Sequence, residues 1–384
     1  MLCRFEQMGD RLQQRQHELL WRQRHCVEGA QQPHLNLGGE RLLSFCSNDY
    51  LGLANDPAVV EAFQAGAAQF GVGSGASHLV CGHHQQHQQL EQALARHTGR
   101  EAALLFGSGY QANLAVISTL MQRGDTVLQD KLNHASLLDG SRLSQARFLR
   151  YRHGDVAHLE QQLESAQGKV LVVTDAVFSM DGDIAPLSTL APLCEQHKAW
   201  LMVDDAHGYG VLGPGGAGSL AQVGLSQDQV PILVGTLGKA LGTGGAFVAG
   251  SQTLIDYLVQ FARPYIYTTA MPPALASATL AALALVRDDN SRRESLVERI
   301  RQFKAGMASV DIELMPSDTA IQPLWMGDNE KALSASARLR QKGMLVTAIR
   351  PPTVPAGSAR LRVTLSAAHT QADVDQLLEA LSVQ

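Results

Sequence analysis

Seven lysines stand against twenty-four arginines in this chain of 384 residues, and one of the seven sits where chemistry is plausible. Lys239 follows the apolar run Val230-Pro231-Ile232-Leu233-Val234-Gly235-Thr236-Leu237 and precedes Ala240-Leu241-Gly242-Thr243-Gly244-Gly245. The other six lie in polar or helix-patterned surroundings and read as solvated. An amine between a buried-strand pattern and a glycine-rich stretch is desolvated, which favours its neutral, nucleophilic form. Its small neighbours leave room for something flat and bulky. A snorkelling lysine at a strand end would account for the same local sequence, so the reading turns on the other segments.

Val203-Asp204-Asp205-Ala206-His207-Gly208 ends an apolar strand in three polar groups. A carboxylate at that end can pair with a ring nitrogen and keep it protonated, and His207 can reach another substituent of the same ring. A capping Asp is the plainer alternative, but burying carboxylates without partners is costly. His134, in Asn133-His134-Ala135-Ser136, starts a helix and can offer an aromatic face. Ser108-Gly109-Tyr110 joins a strand to a helix, where exposed N–H groups can hold an anion such as phosphate; alone it is also an ordinary tight turn. Arg350, in Arg350-Pro351-Pro352-Thr353-Val354-Pro355, is a guanidinium on a stiffened segment, suited to bidentate recognition of a carboxylate. His83 and His87 have the i,i+4 spacing of zinc sites. Their surroundings, His83-His84-Gln85-Gln86-His87-Gln88-Gln89, offer no third ligand, so a polar helix face is expected and no metal. Gly235-Thr236-Leu237-Gly238-Lys239 has the wrong spacing for a Walker A loop, and Gly71-Val72-Gly73-Ser74-Gly75 the wrong spacing for a dinucleotide fingerprint.

The elements that must position these groups follow an alternating pattern. Strands are expected at Ala102–Phe106, Thr126–Gln129, Val170–Asp175, Trp200–Asp205, Ile232–Thr236 and Gly245–Ala249. Helices are expected at Tyr110–Met121, His134–Ser144 and Leu187–His197. Such alternation makes an α/β fold: a mostly parallel sheet covered by helices, with ligands at the carboxyl ends of the strands. Ahead of it, Leu2, Phe5, Met8, Leu12, Leu19 and Leu20 form a helical stripe over residues 2–25, and a short strand pair fits Leu35–Phe45. Asp56-Pro57 opens a helix with its cap and first residue. Beyond residue 288 the texture becomes α+β, with a helix at Ser291–Val310, then Ile321–Met326, Lys331–Lys342, Leu345–Ile349, Arg360–Leu365 and Asp373–Leu381. The expected organisation is a helical arm with short strands over 1–45, a large α/β domain over 46–287 that carries the candidate site, and a small α+β domain over 288–384.

The bulk numbers are those of an ordinary globular protein, 45% hydrophobic and 17% charged. A net charge of −5 gives no basic field for nucleic acid. The beginning, Met1-Leu2-Cys3-Arg4-Phe5-Glu6, lacks the apolar core of a secretion signal. Pro272–Val286 is too short to cross a bilayer and reads as a core helix. Cys3, Cys26, Cys46, Cys81 and Cys194 are scattered, as reduced thiols of a cytoplasmic protein would be.

Taken together, Ser47-Asn48-Asp49-Tyr50-Leu51-Gly52-Leu53, Gly73-Ser74-Gly75, Asn133-His134-Ala135-Ser136, Phe178-Ser179-Met180-Asp181-Gly182-Asp183, Asp204-Asp205-Ala206-His207-Gly208 and Thr236-Leu237-Gly238-Lys239 resemble the α-oxoamine synthases. These are pyridoxal-phosphate transferases of fold type I, and the resemblance runs over essentially the whole chain. Ala76 stands where relatives often carry a third glycine. The segments Arg350–Gly357 and Leu361–His369 are similar to those of the branch that joins L-alanine to a pimeloyl thioester in biotin synthesis. Siblings such as glycine C-acetyltransferase share the cofactor site and differ in amino acid and acyl length; non-catalytic homologues of this fold are the other alternative.

The resemblance implies a role for each residue. Lys239 carries pyridoxal 5'-phosphate covalently and later takes the Cα proton. Asp204 pairs with the ring nitrogen, His134 stacks on the ring, and Ser179 and His207 bond its phenolic oxygen. Ser108, Gly109, Tyr110 and Thr236 take the phosphate, with Thr268 or Thr269 from a second subunit of a homodimer. Arg350 binds the alanine carboxylate. Arg22, Asn48 and Thr353 are candidates for the acyl substrate, although Arg22, with Arg11, Arg15 and Arg24, serves equally well as a solvated helix face. Coenzyme A and an acyl carrier protein both remain open as the carrier.

Overall fold

Short β-branched and leucine-rich runs separated by amphipathic helices leave the central strands of the large sheet buried on both sides, and these strands associate accordingly. The structure, a computed structural model, describes residues 5–382. Leu2 of the arm stripe and Cys3 lie outside the described residues. The chain divides into two compact units. One comprises Asp49–Ser179 and Asp183–Glu294; the other comprises the described residues of Met1–Asn48, Met180–Gly182 and Ser295–Gln384.

The first unit is built on a seven-stranded sheet. Its order is Ala102–Phe106, Ala246–Gly250, Ile232–Thr236, Trp200–Asp204, Val170–Asp175, Thr126–Asp130 and Arg147–Tyr151. Ala246–Gly250 runs antiparallel to both neighbours, and the strand pairs from Ile232–Thr236 to Arg147–Tyr151 are parallel. Leu104, Val127, Leu171, Val173, Met202 and Val234 face a helix that spans Gly109–Leu120 and presents Ala112, Val116 and Ile117. Each such buried aliphatic side chain contributes about 1.5–3 kcal/mol. Gly235 is opposite Phe247 on the neighbouring strand, and the phenyl ring occupies the space a Cβ would take. Arg147–Tyr151 was not anticipated; it is a half-exposed edge strand with arginines at two of its five positions, so its pattern lacks a continuous apolar run. The helix Val156–Glu164, capped by Asp155, was also unforeseen.

Asp56 caps the helix Pro57–Phe70 by accepting the Ala58 N–H (2.9 Å), as its sequence suggests. The stretch Pro272–Val286 is helical from Pro273, in the helix Pro273–Asp288, with a largely buried face. Among the described residues no helix is long and apolar enough to cross a membrane.

In the second unit the arm and the C-terminal portion, expected as separate regions, share sheets. Glu40–Ser44 pairs parallel with Met344–Leu345, and Phe45 stacks on His369 at 4.4 Å. The arm helix is shorter than expected, Glu6–His17. It closes at Leu19, whose φ of 57° lets Leu20 N–H reach back to Arg15 O (2.8 Å). The expected strand Leu345–Ile349 is two pieces. Met344–Leu345 belongs to the arm's sheet, and Thr347–Ile349 pairs with Ala359–Thr364 in a three-stranded sheet. A continuous hydrophobic pattern carries no mark of a change of partner.

Candidate active site

All the parallel strands end at one edge of the large sheet, and the polar residues chosen from the sequence follow those ends. Gly109, Tyr110, Asn113, His134, Ser136, Asp175, Ser179, Asp204, Ala206, His207, Thr236 and Lys239 line a single cavity of about 190 Å³. Lys239 is half-buried there, on the turn after Ile232–Thr236. The turn closes through Gly242 N–H to Lys239 O (2.8 Å). Gly242 has φ +66°, and a Cβ there would run into the backbone of Leu53 and Ala54. That close approach fixes the segment carrying Tyr50, whose loop is held by Asp49 accepting Leu53 N–H (2.9 Å) and Ala54 N–H (3.1 Å).

Lys239 Nζ is 2.7 Å from His207 Nε2, and His207 Nδ1 is 2.5 Å from the buried Tyr50 hydroxyl. The three groups form a line. With an ammonium, Nζ donates to Nε2 and Nδ1–H donates to the tyrosine oxygen. With a neutral amine, both hydrogen bonds reverse, the tyrosine donating to Nδ1 and Nε2–H to Nζ.

Asp204 is buried at the strand's carboxyl end. Its Oδ1 accepts the Ala206 N–H (3.0 Å) and its Oδ2 accepts from Asn113 Nδ2 (2.6 Å). Asn113 Nδ2 also donates to Ser136 Oγ (2.9 Å), which leaves the Ser136 hydroxyl proton for His134 Nδ1 (2.7 Å). His134 caps the helix Ala135–Ser144, and its own N–H is held by Asp175 (2.7 Å). Burial lowers the His134 pKa; the Asp204 charge opposes that and Lys239 adds to it. A neutral ring with its Nδ1 satisfied suits stacking. Asp175 lies opposite Asp204 in the sheet register. Its pKa is raised well above the ordinary carboxylate value, first by burial and then by the Asp204 charge. Asp205 points away, to Ser219 N–H (2.7 Å) and Oγ (2.5 Å), and burial pushes it up to about 7.

Ser108 caps the helix Gly109–Leu120 by accepting Gln111 N–H (3.2 Å). The Tyr110 hydroxyl donates to Asp139. Thr236 Oγ1 donates to Gly245 O (3.1 Å). Gly109 and Tyr110 bring the start of the helix Gly109–Leu120 to this cavity, and a helix N-terminus can hold an anion. A flat pyridine with one anionic substituent fits this donor set: a carboxylate, a neutral aromatic face, an amine, and a buried Asn113 Oδ1 with no protein partner.

The remaining anticipated residues are elsewhere. Thr268 is half-buried and Thr269 exposed, after the short helix Arg263–Ile266, and neither lines this cavity. Arg22, Asn48, Arg350 and Thr353 belong to the other unit. There Asn48 Oδ1 accepts from Arg362 (3.2 Å), and Arg350 donates to the backbone carbonyls of Leu19 and Trp21 (3.3 Å for the latter). Burial, then the nearby Arg22 charge, lowers the Arg350 pKa. Arg22 and Thr353 are exposed.

His83 and His87 do not share a polar helix face. The helix is Gln85–Thr98, His83 precedes it, and His87 is fully buried with both ring nitrogens bonded. Asn113, Asp175, Tyr50 and Ser136 were missed as site residues. Asn113 had a signal, a polar residue among Ala112, Ala115 and Val116 on an apolar helix face. Asp175 had another, since it ends its strand as Asp204 does.

The chain matches the family described as aminotransferase class I and II over residues 40–381. It is 60% identical over 375 residues to an 8-amino-7-oxononanoate synthase of Pseudomonas entomophila, covering 98% of this chain and 96% of that one. Among solved structures, a serine palmitoyltransferase of S. paucimobilis with bound PLP superposes with a TM-score of 0.93 at 30% identity, covering 100% of this chain and 97% of that one. An 8-amino-7-oxononanoate synthase of Francisella tularensis gives 0.79 at 33% identity, covering 89% and 97%. The chain therefore belongs to the class I and II aminotransferase family, of fold type I, in its 8-amino-7-oxononanoate synthase branch.

Proposed function

We infer that this protein is a pyridoxal-phosphate-dependent acyltransferase. It condenses L-alanine with a pimeloyl thioester, with loss of carbon dioxide, to give 8-amino-7-oxononanoate for biotin synthesis. The observation that carries this is the line from Lys239 through His207 to Tyr50 beside a buried Asp204, in a chain so similar to synthases of that name. Pyridoxal 5'-phosphate supplies an aldehyde for covalent capture of an amine and a ring that accepts the electron pair released at Cα.

The residues divide the work as follows. Lys239 would hold the cofactor through its amine, and the same amine would take the Cα proton of alanine. His207 and Tyr50 can pass that proton's charge along their hydrogen bonds. Asp204, kept in place by Asn113, would hold the ring nitrogen protonated. His134 would stack on the ring, and Ser179 with His207 would bond its oxygen. Ser108, Gly109, Tyr110 and Thr236 receive the phosphate, together with Thr268 or Thr269 of a second copy in a homodimer. Arg350 takes the alanine carboxylate, and Arg22, Asn48 and Thr353 take the acyl substrate. The new bond joins alanine Cα to the acyl carbonyl carbon as the carrier thiol leaves. Carbon dioxide then departs and Cα regains a proton.

Four described cysteines, Cys26, Cys46, Cys81 and Cys194, are free thiols, which fits the proposed cytoplasmic setting. The test is product mass spectrometry with alanine, glycine and serine offered in parallel to pimeloyl-coenzyme A and to pimeloyl-acyl carrier protein. The alanine-derived aminoketone is the expected dominant product; a glycine or serine product in its place would move the assignment to a sibling activity.

A further inference from the structure

The histidine cluster takes no part in the mechanism above. His78 begins a one-turn π-helical segment, His78–Gly82, and its ring stacks on Tyr265 at 5.1 Å and 12°. His83 follows that turn, and His87 sits on the first turn of Gln85–Thr98. One nitrogen from each of the three rings lies within 4.8 Å of the other two. The stretch around His83 and His87 holds no third ligand because the third imidazole comes from the preceding turn, five residues before His83.

The hydrogen bonds leave a lone pair on Nδ1 of His83 and of His87. His87 Nε2–H donates to Met271 O (2.8 Å), leaving its Nδ1 lone pair, which accepts the His84 N–H (3.0 Å). His83 Nε2–H donates to Gln88 Oε1 (3.4 Å), with a carboxylate oxygen of Glu91 at 3.9 Å. His83 Nδ1 therefore keeps its lone pair and accepts from His78 Nδ1 at 2.8 Å. An imidazole that donates one N–H to a carbonyl oxygen and turns the other nitrogen inward is the usual arrangement around a bound metal ion. Burial, with the neighbouring imidazoles, holds His78 down to about 3; burial is the main cause that takes His87 down to about 4. Both stay in the neutral, ligating form at neutral pH.

We propose that His78, His83 and His87 bind one divalent transition-metal ion through their Nδ1 atoms, clipping the turn at His78–Gly82 to the start of the helix Gln85–Thr98. An all-imidazole set suits zinc, copper and nickel. Tetrahedral zinc needs nitrogens about 3.4 Å apart, so the His78–His83 pair opens slightly. His78 shifts its proton from Nδ1 to Nε2, and His87 gives up the His84 N–H, with no net proton released. A fourth position is left for water.

The test is equilibrium dialysis of the cofactor-saturated enzyme, stripped with chelator, against Zn²⁺ alone, with bound metal read by atomic emission. One zinc per chain is expected. His83→Gln, at an exposed position, and His78→Gln should each weaken uptake at least tenfold while the cofactor absorbance and metal-free activity are unchanged. Cys81→Ser, on the same turn, should keep full uptake. No uptake by the unmodified enzyme, uptake that survives His83→Gln, or uptake lost in Cys81→Ser would overturn the proposal.

Discussion

Asn113 ties the acid of the site to the aromatic face. Its amide reaches both Asp204 and Ser136, and Ser136 fixes the His134 tautomer. Replacing it with Leu removes a hydrogen bond to a charged group, about 1.5–3 kcal/mol, so kcat/KM should fall by roughly 10- to 100-fold in steady-state assays, with little change in fold. Tyr50→Phe removes the hydroxyl from His207 Nδ1 and should lower kcat by roughly fivefold to tenfold, the worth of about 1 kcal/mol. It should also move the pH at which the rate is half-maximal, because the Lys239–His207 line then has no terminal partner from that hydroxyl. Lys239, Asp204, His207 and His134, the groups proposed to react, stand out in the sequence because each breaks an apolar or glycine-rich pattern at a strand end, and all four line one cavity. Their supports do not stand out. Asn113 sits inside a helix and Tyr50 lies 157 positions from His207, and no local pattern encodes a contact at that distance.

Among the elements, the helix Pro57–Phe70 depends on Asp56 twice, as a cap for Ala58 N–H and as the partner of Arg292 at 2.6 Å. Asp56→Ala should cost about 1–2 kcal/mol, visible as a lower thermal midpoint at fixed cofactor concentration, while Asp56→Asn should retain most of the cap. His153 joins the end of Thr126–Asp130 to the loop after Val170–Asp175 by bonding Asp130 and Asp183 (2.9 and 2.8 Å). Burial alone would lower its pKa, but the two carboxylates outweigh burial and raise it to about 10. The folded state therefore holds this proton more tightly than the unfolded chain. The stabilisation is complete below about 6.5 and is lost as pH rises to about 10. The midpoint difference between the unmodified protein and His153→Gln should shrink across that window; a constant difference would contradict the pairing. Parallel strands with continuous apolar runs were readable, whereas the edge strand Arg147–Tyr151 and the divided run at Leu345–Ile349 were not, since edge exposure and a change of sheet leave the hydrophobic pattern ambiguous.

For the whole molecule, the unit that holds Lys239 has the seven-stranded sheet and the other has two smaller sheets; Arg350 and Arg22, proposed for the alanine carboxylate and the acyl substrate, lie in the unit that does not hold Lys239. The fold class was legible because alternation of strand and helix leaves few alternatives. The grouping of arm and C-terminal portion was not, because a parallel pair such as Leu43 with Met344 joins segments far apart in the chain. Acid should destabilise the protein through its buried imidazoles. His78 and His87 have folded values near 3 and 4 against 6.5 in the unfolded chain, so their contribution is lost as pH falls below about 6.5, and His78→Gln should flatten that limb of the stability curve. The account rests above all on Lys239. Borohydride reduction of the cofactor-loaded enzyme, followed by peptide mass spectrometry, tests it most directly. The account predicts a phosphopyridoxyl group on Lys239 alone, absent from Lys239→Ala together with the visible absorption band. A label on any other lysine, or none at all, would contradict it.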